Sequence, residues 1–539
     1  MIFKSFFIVL FLIVSVKFAQ NKNIVSQRHL RINQGELRGN QYENKNYFEF
    51  LGIPYAAAPV GINRFKAPLP APNWSGIFYA NKTVTCAQGN ITNEDCLVVN
   101  IYVPNKEHIA FPVLIYIHGG AFFIGAGIET DNVKHLIDQD VIVVTFNYRL
   151  GALGFLCLGI DEAPGNAGMK DQIAALKWVK RNIKMFGGNP DNITIAGTSA
   201  GGTSVELLII SPLSKGLFRN GIIESGSAAT VWAIDATPIK TAEKVAVAMG
   251  YGGKNSLKDL AEFYLKVDIK TLNKYTEEEF VSRTDGTFGF VPCIENSSGD
   301  TFLAEDPLHI IREDKFEHLQ ILYIFVNGEG FFRESNFYDY KDRMNENFFE
   351  FLPGNLYFQN LKQKYEVSNN TKNFYFGNRN VSHETVVEYF NYFGDILFIY
   401  PIINWSLNMA ATNSKNVYML EFCYEGGLNQ PKEYFKHIPM AGHVDSSNYV
   451  FALDNVSGKD RDVVDIMVGI WSNFIKSGYV QNFYFHIIIT RAVFIYYFKK
   501  YGFMNKTNKM LTNPYSERMI FLDSLYSNYR NNVKRPIRW

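Results

Sequence analysis

The stretch Gly197-Thr198-Ser199-Ala200-Gly201 constrains this chain more than any other. A short β-branched run, Ile193-Thr194-Ile195-Ala196, leads into it and reads as a strand. Val205-Glu206-Leu207-Leu208-Ile209-Ile210 follows and reads as a buried helix stopped at Pro212. Strand, sharp turn and helix together make a nucleophile elbow. The turn lifts the serine hydroxyl out of the sheet, and small flanking residues let backbone approach backbone. The helix N-terminus beneath the serine then offers free N–H groups to developing negative charge. The same five residues in an ordinary loop would hold only a turn serine; the flanking strand and helix set this one apart.

Other apolar runs also end abruptly at small or polar residues. Val113–Ile117 runs into His118-Gly119-Gly120-Ala121, Val141–Phe146 into Asn147-Tyr148-Arg149, and Leu319–Val326 into Asn327-Gly328-Glu329-Gly330. Val417–Phe422 precedes a long loop. Continuous apolar runs fit strands covered on both faces, as in a largely parallel sheet. Between them, Lys170–Phe186 carries a helical stripe of Ile173, Leu176, Val179, Ile183 and Phe186, ended by Gly187-Gly188. Strands alternating with helices predict an α/β fold, with reactive groups gathered beyond the carboxyl ends of the strands.

A serine hydroxyl needs a base, a group that orients the base, and donors for an oxyanion. Glu329, between two glycines at a strand end, is the acid candidate; the same setting also suits a plain turn glutamate. Of ten histidines, His443 lies in the small-residue loop Met440-Ala441-Gly442-His443-Val444-Asp445. Its rival His437 sits in a stretch that reads more like packing. The order Ser199, Glu329, His443 is the order of an α/β-hydrolase. The glycine-rich turn at Gly119, Gly120 and Ala121, with the backbone of Ala200, is the expected oxyanion hole, and His118 is expected to be structural.

These stretches resemble the type-B carboxylesterase/cholinesterase family, closest to secreted insect-type carboxylesterases. Also in family order are Phe50–Ala56, Glu94–Asn100, Gly165–Gln172, Gly187–Pro190, Glu224-Ser225-Gly226-Ser227 and His443-Val444-Asp445, so the match spans roughly residues 30 to 475. The resemblance implies an α/β-hydrolase fold with a mostly parallel central sheet flanked by helices and long insertions. It implies a Ser199–Glu329–His443 triad, a Cys86–Cys96 disulfide, and an oxyanion hole from Gly119 or Gly120, Ala121 and Ala200. Trp232 falls where the family places an acyl-pocket tryptophan, and Phe288 and Phe290 lie near that pocket. No metal or organic cofactor is implied.

Three departures matter. The family often carries glutamate before the nucleophile; Thr198 removes that charge here. Residues 87–95 contain no aromatic ring, and quaternary ammonium recognition leans on one, which argues against a cholinesterase. Thr198 and Gly202 stand where juvenile-hormone esterases usually show Gln and Ala, so a general carboxylesterase fits better. The expected substrate is a small to medium neutral ester, for instance an odorant, pheromone or xenobiotic ester. A catalytically silent binding protein on the same fold is the alternative, disfavoured because all three triad candidates are present; a neutral-lipid lipase is another.

Composition narrows the setting. Formal net charge is +1, from 53 basic and 52 acidic residues without a basic stripe, which argues against nucleic-acid or electrostatic membrane partners. The 539 residues show no linker, charge block or repeat, so residues 20–539 read as one catalytic domain. Residues 1–19 read as a signal peptide, charged at Lys4 and apolar from Phe6 to Val16. Export agrees with sequons at Asn73, Asn81, Asn90, Asn296, Asn369, Asn380, Asn404, Asn455 and Asn505; Asn192, at the strand into the elbow, is expected to be too buried for modification. Cys86 and Cys96 flank a polar loop and are the favoured pair in an oxidising compartment, a closure contributing about 2–3 kcal/mol. Cys157, Cys293 and Cys423 are expected to be buried thiols. Phe483–Phe498 is nearly continuously apolar; Arg491 and its short length argue against a stable membrane anchor, leaving a buried helix or strand, or an inaccurate gene model.

Overall fold

The apolar runs become strands whose alternate side chains enter two different cores. A computed structural model describes residues 23–530 apart from 108–109, 128–131, 254–255, 297–299, 454, 481–492, 500–501 and 505–514. The leader reading of residues 1–19, the sequon at Asn505 and most of the Phe483–Phe498 run lie outside the described residues. Thirteen strands are described: Ile24–Ile32 (β1), Gly35–Tyr42 (β2), Tyr47–Pro54 (β3), Ile77–Tyr79 (β4), Val98–Pro104 (β5), Phe111–Ile117 (β6) and Ile142–Phe146 (β7). Gly188–Thr198 (β8), Asn220–Glu224 (β9), Gln320–Val326 (β10), Val417–Phe422 (β11), Val493–Lys499 (β12) and Gly502–Met504 (β13) follow.

They form one sheet in the order β1-β2-β3-β5-β7-β6-β8-β9-β10-β11-β12-β13, with β4 on β2. The block β7-β6-β8-β9-β10-β11 is parallel, and antiparallel strands extend it on both sides. Val113, Ile115 and Ile117 of β6 enter one core with Ile173, Leu176 and Val179 of the helix Ala167–Asn182. Leu114 and Tyr116 enter the other with Val464, Met467 and Trp471 of the helix Gly458–Ser477. Period-two alternation therefore gives each face its own helical cover, the α/β-hydrolase arrangement.

The elements run close to their sequence limits. The striped helix begins at Ala167, three residues before Lys170, and its last turn, Ile183–Phe186, tightens to 3-10 geometry before Gly187 at φ 90°. The helix after the elbow, Ala200–Ile210, is buried along its whole length. The run His383–Thr412 is long and apolar enough to cross a membrane, and it packs inside the fold with 83% of its most apolar window buried. At the far edge, β12 pairs antiparallel with β11, so residues 493–499 of the odd apolar run form a strand.

Cysteine usage needs a correction. Cys86–Cys96 is a disulfide, and so is Cys157–Cys293, two of the three expected thiols. The second pair is 136 residues apart in sequence, a juxtaposition that local spacing cannot reveal; only Cys423 is free. Asn192 is half-buried, and its amide donates to the Lys476 carbonyl at 3.2 Å.

Candidate active site

Ser199 and Glu329 sit at the carboxyl ends of β8 and β10, and His443 lies in the long loop after β11. Ser199 follows β8 with φ 59° and ψ −122°, a strained conformation that a non-glycine residue holds only when its surroundings impose it. Backbone contact on both sides imposes it. A Cβ at Gly201 would lie 2.1 Å from the Ile117 carbonyl oxygen, and one at Gly197 would lie 2.4 Å from the Gly201 carbonyl. The Ser199 N–H donates to the Glu224 carbonyl at 2.8 Å, tying the turn to the end of β9.

His443 lies 244 residues away in sequence, and its Nε2 is 3.0 Å from Ser199 Oγ. Its Nδ1 is 2.6 Å from Glu329 Oε2. These partners require Nδ1–H and an Nε2 lone pair, so the serine hydroxyl donates to the ring and the ring donates to the carboxylate. Glu329 is fully buried, and its other oxygen accepts from Ser225 Oγ at 2.6 Å and the Val326 N–H at 3.1 Å. The loops carrying acid and imidazole are fastened together: Gly328 N–H donates to the Ala441 carbonyl at 2.9 Å, and Ala441 N–H to Asn327 Oδ1 at 2.9 Å. The rival His437 is exposed and packs beside Phe435.

The loop after β6 packs on the elbow. A Cβ at Gly119 would lie 2.6 Å from the Thr198 carbonyl oxygen and 3.2 Å from Ser199 Cβ. His118 Nδ1 donates to the Gly119 carbonyl at 2.8 Å, and the ring stacks on Tyr148 at 4.4 Å. C=O and N–H oppose each other across a planar trans peptide, so holding the Gly119 carbonyl fixes where the Gly120 N–H points. Burial pushes the His118 ring down to about 4, keeping it neutral near pH 7. Among the described residues, the N–H groups of Gly120 and Ala121 take no backbone partner. Ala200 is the first residue of its helix, where N–H groups have no intrahelical acceptor.

Aromatic rings press against the imidazole. Phe398 lies 4.3 Å and Phe332 5.3 Å from the His443 ring centroid. Phe398 contacts Trp232 at 5.7 Å, Trp232 stacks on Phe288 at 5.3 Å, and Phe288 reaches Phe332 at 6.2 Å, closing the circuit. Trp232 and Phe288 therefore belong to the ring cluster beside His443. Phe290 does not join them: its ring contact is with Tyr264. In an extended run, residues 288 and 290 would share a face; φ 52° at Phe290 breaks that alternation.

Sequence reasoning missed Ser225, Glu224, Phe332 and Phe398. Phe332, three residues after Glu329, had adjacency as a signal, and Phe398 had none. Glu206, on the helix after the elbow, is also buried; burial pushes its carboxyl up to about 8 while it accepts from Ser227 Oγ and the Ala228 N–H. It braces the turn that leads to Trp232.

Residues 26–514 match the model of the carboxylesterase family. Esterase FE4 of Myzus persicae is 33% identical over 480 residues, which cover 83% of this chain and 84% of that protein. A juvenile hormone esterase of Tribolium castaneum is 32% identical, covering 80% of each chain. The crystal structure of juvenile hormone esterase from Manduca sexta, with OTFP covalently attached, superposes with a TM-score of 0.81 at 26% identity, covering 93% of this chain and all of that one.

Proposed function

The chain belongs to the carboxylesterase family and is a carboxylic ester hydrolase, and from that premise we propose that it is a secreted serine carboxylesterase for small to medium neutral esters. Ser199 Oγ gives its proton to His443 Nε2 and attacks the ester carbonyl. Glu329 holds the imidazole tautomer and stabilises the imidazolium. The tetrahedral oxyanion rests on backbone N–H groups of Gly119 or Gly120, Ala121 and Ala200. His443 protonates the departing alcohol, then takes a proton from the water that cleaves the acyl-enzyme. The observation that carries this reading is the unbroken Glu329–His443–Ser199 hydrogen-bond chain, with distances of 2.6 Å and 3.0 Å.

The acyl group lies against Trp232, Phe288, Phe332 and Phe398. These rings favour an uncharged chain, because apolar faces line the space beside the imidazole, and the Arg333 guanidinium at the wall is already seated over the Phe332 ring at 5.3 Å. Odorant, pheromone and xenobiotic esters suit such a site. Residues 20–539 act as one catalytic unit behind a leader of residues 1–19. Export is supported by two disulfides and by exposed sequon asparagines at Asn73, Asn81, Asn90, Asn369, Asn380 and Asn455.

The deciding experiment is hydrolysis of 4-nitrophenyl acetate and butyrate by the purified protein beside its Ser199→Ala variant. Turnover by the parent that vanishes in the variant is the expected result. Equal inactivity of two folded proteins would overturn the esterase reading and favour a binding protein on the same fold.

A further inference from the structure

Thr198 brings no charge beside the nucleophile, and its hydroxyl meets a buried carboxylate. The Thr198 hydroxyl donates to Glu224 Oε2 at 2.7 Å and accepts from the Tyr116 hydroxyl at 2.9 Å. Glu224 ends β9 and is fully buried. Ser447 Oγ donates to the same oxygen at 2.6 Å, and Ser446 Oγ donates to Oε1. Ser446 and Ser447 open the helix Asp445–Val450, directly after His443. The backbone carbonyl of Glu224 meanwhile holds the Ser199 N–H. One residue thus binds the segment before the nucleophile, the nucleophile's own amide, and the segment after the base.

We infer that Glu224 is a positioning residue for the Ser199–His443 pair, and that its carboxylate sets a negative charge behind the elbow from β9. The inference rests on the esterase reading above. Three hydroxyl donors on one carboxylate make a directional clamp: it can hold its shape only while both segments stay in register. An anion behind the elbow also favours the imidazolium that forms during attack. Burial pushes the Glu224 carboxyl up from its usual range, the three hydroxyl bonds oppose this, and the Glu329 carboxylate adds to it. The groups facing it are Thr198 with Tyr116 behind it, Ser446, Ser447 and, electrostatically, Glu329.

The test is Glu224→Gln, which keeps the shape, removes the charge and leaves one accepting oxygen, so that the hydroxyl facing the new NH2 must turn to accept. On 4-nitrophenyl butyrate we expect kcat to fall on the order of tenfold with KM within about twofold. The acidic limb of kcat/KM against pH should shift to lower pH, because the protonated base loses a stabilising neighbour. Thr198→Val, which cuts one strand of the clamp, should give a smaller loss in kcat and no shift of the limb. A merely structural role would lower the melting temperature and leave both kcat and the pH limb of the folded enzyme unchanged, which overturns the inference. If Glu224→Gln does not fold, Ser447→Ala carries the test: unchanged kcat in that variant sinks the clamp. A parent without Ser199-dependent turnover overturns the esterase reading and this inference together, whereas an active parent with an unaltered Glu224→Gln variant overturns this inference alone.

Discussion

The hydrogen-bonded node around Ser199 and the aromatic wall of Trp232, Phe288, Phe332 and Phe398 meet at one imidazole, and they are held by different forces. In the node, Glu329, His443, Ser199, Ser225 and Glu224 each fill a directional role with partners at 2.6–3.0 Å. A small displacement there breaks a bond outright. In the wall, ring centroids lie 4.3–6.2 Å apart at varied angles. Dispersion and area burial tolerate such variety. The node should therefore govern whether the enzyme turns over, and the wall which acyl chain it accepts.

The largest effects should come from the node. Ser199→Ala should lower kcat on the order of a million-fold, and Glu329→Gln by roughly ten-thousand-fold. Circular dichroism should remain that of the parent in both. A Glu329→Gln variant within tenfold of the parent would show that the buried acid is not what orients His443.

The Cys157–Cys293 bond separates the two regions next. Cys293 lies shortly after Phe288 and ties the wall's segment to the chain after Phe155. Replacing both cysteines with alanine should cost about 3–5 kcal/mol of stability. Acyl-chain selectivity should loosen while Ser199 still reacts with an organophosphonate at the parental rate. Loss of that reactivity in the folded variant would mean that the node leans on the wall.

His118 tests the node's response to acid. Its folded value, about 4, lies below the ordinary histidine value of 6.5. Its stabilisation is therefore complete above pH 6.5 and is lost as pH falls through about 4, because the unfolded chain takes up the proton first. The loss amounts to roughly 3 kcal/mol. Denaturant unfolding at several pH values should show a shallower decline between pH 6.5 and 4 for His118→Asn than for the parent. Parallel curves would remove His118 from the account.

The smallest expected effect is at the wall. Phe332 is half-buried, so Phe332→Leu should leave the fold intact. It should raise the octanoate-to-butyrate ratio of kcat/KM by about tenfold. A change in kcat for both esters by the same factor would place Phe332 with the node instead.

Much of the site was legible because its chemistry needs particular residue types at strand ends. A serine between small residues after a β-branched run, a glutamate between glycines and a histidine in a small-residue loop each leave a local trace. So does the glycine turn after β6. Glu224 left one too, in Glu224-Ser225-Gly226-Ser227, but nothing local said that its carboxylate would meet Ser446, 222 residues away. Phe398 is one of many phenylalanines in an apolar helix, and only packing brings it to the imidazole. Phe290 shows the reverse: the family resemblance suggested the wall, and at a left-handed φ its ring meets Tyr264 instead.

The sequence by itself determined the strands, the helix beneath the elbow and the kind of chemistry, because periodicity and turn residues act over a few positions. The tertiary structure alone decided that Cys157 pairs with Cys293, which rings face the imidazole, and which buried carboxylate stands behind the nucleophile. The physical reason is the sheet order: placing β6, β8, β9, β10 and β11 side by side sets their loop ends together. Contacts between residues more than a hundred positions apart exist only once that order is in place.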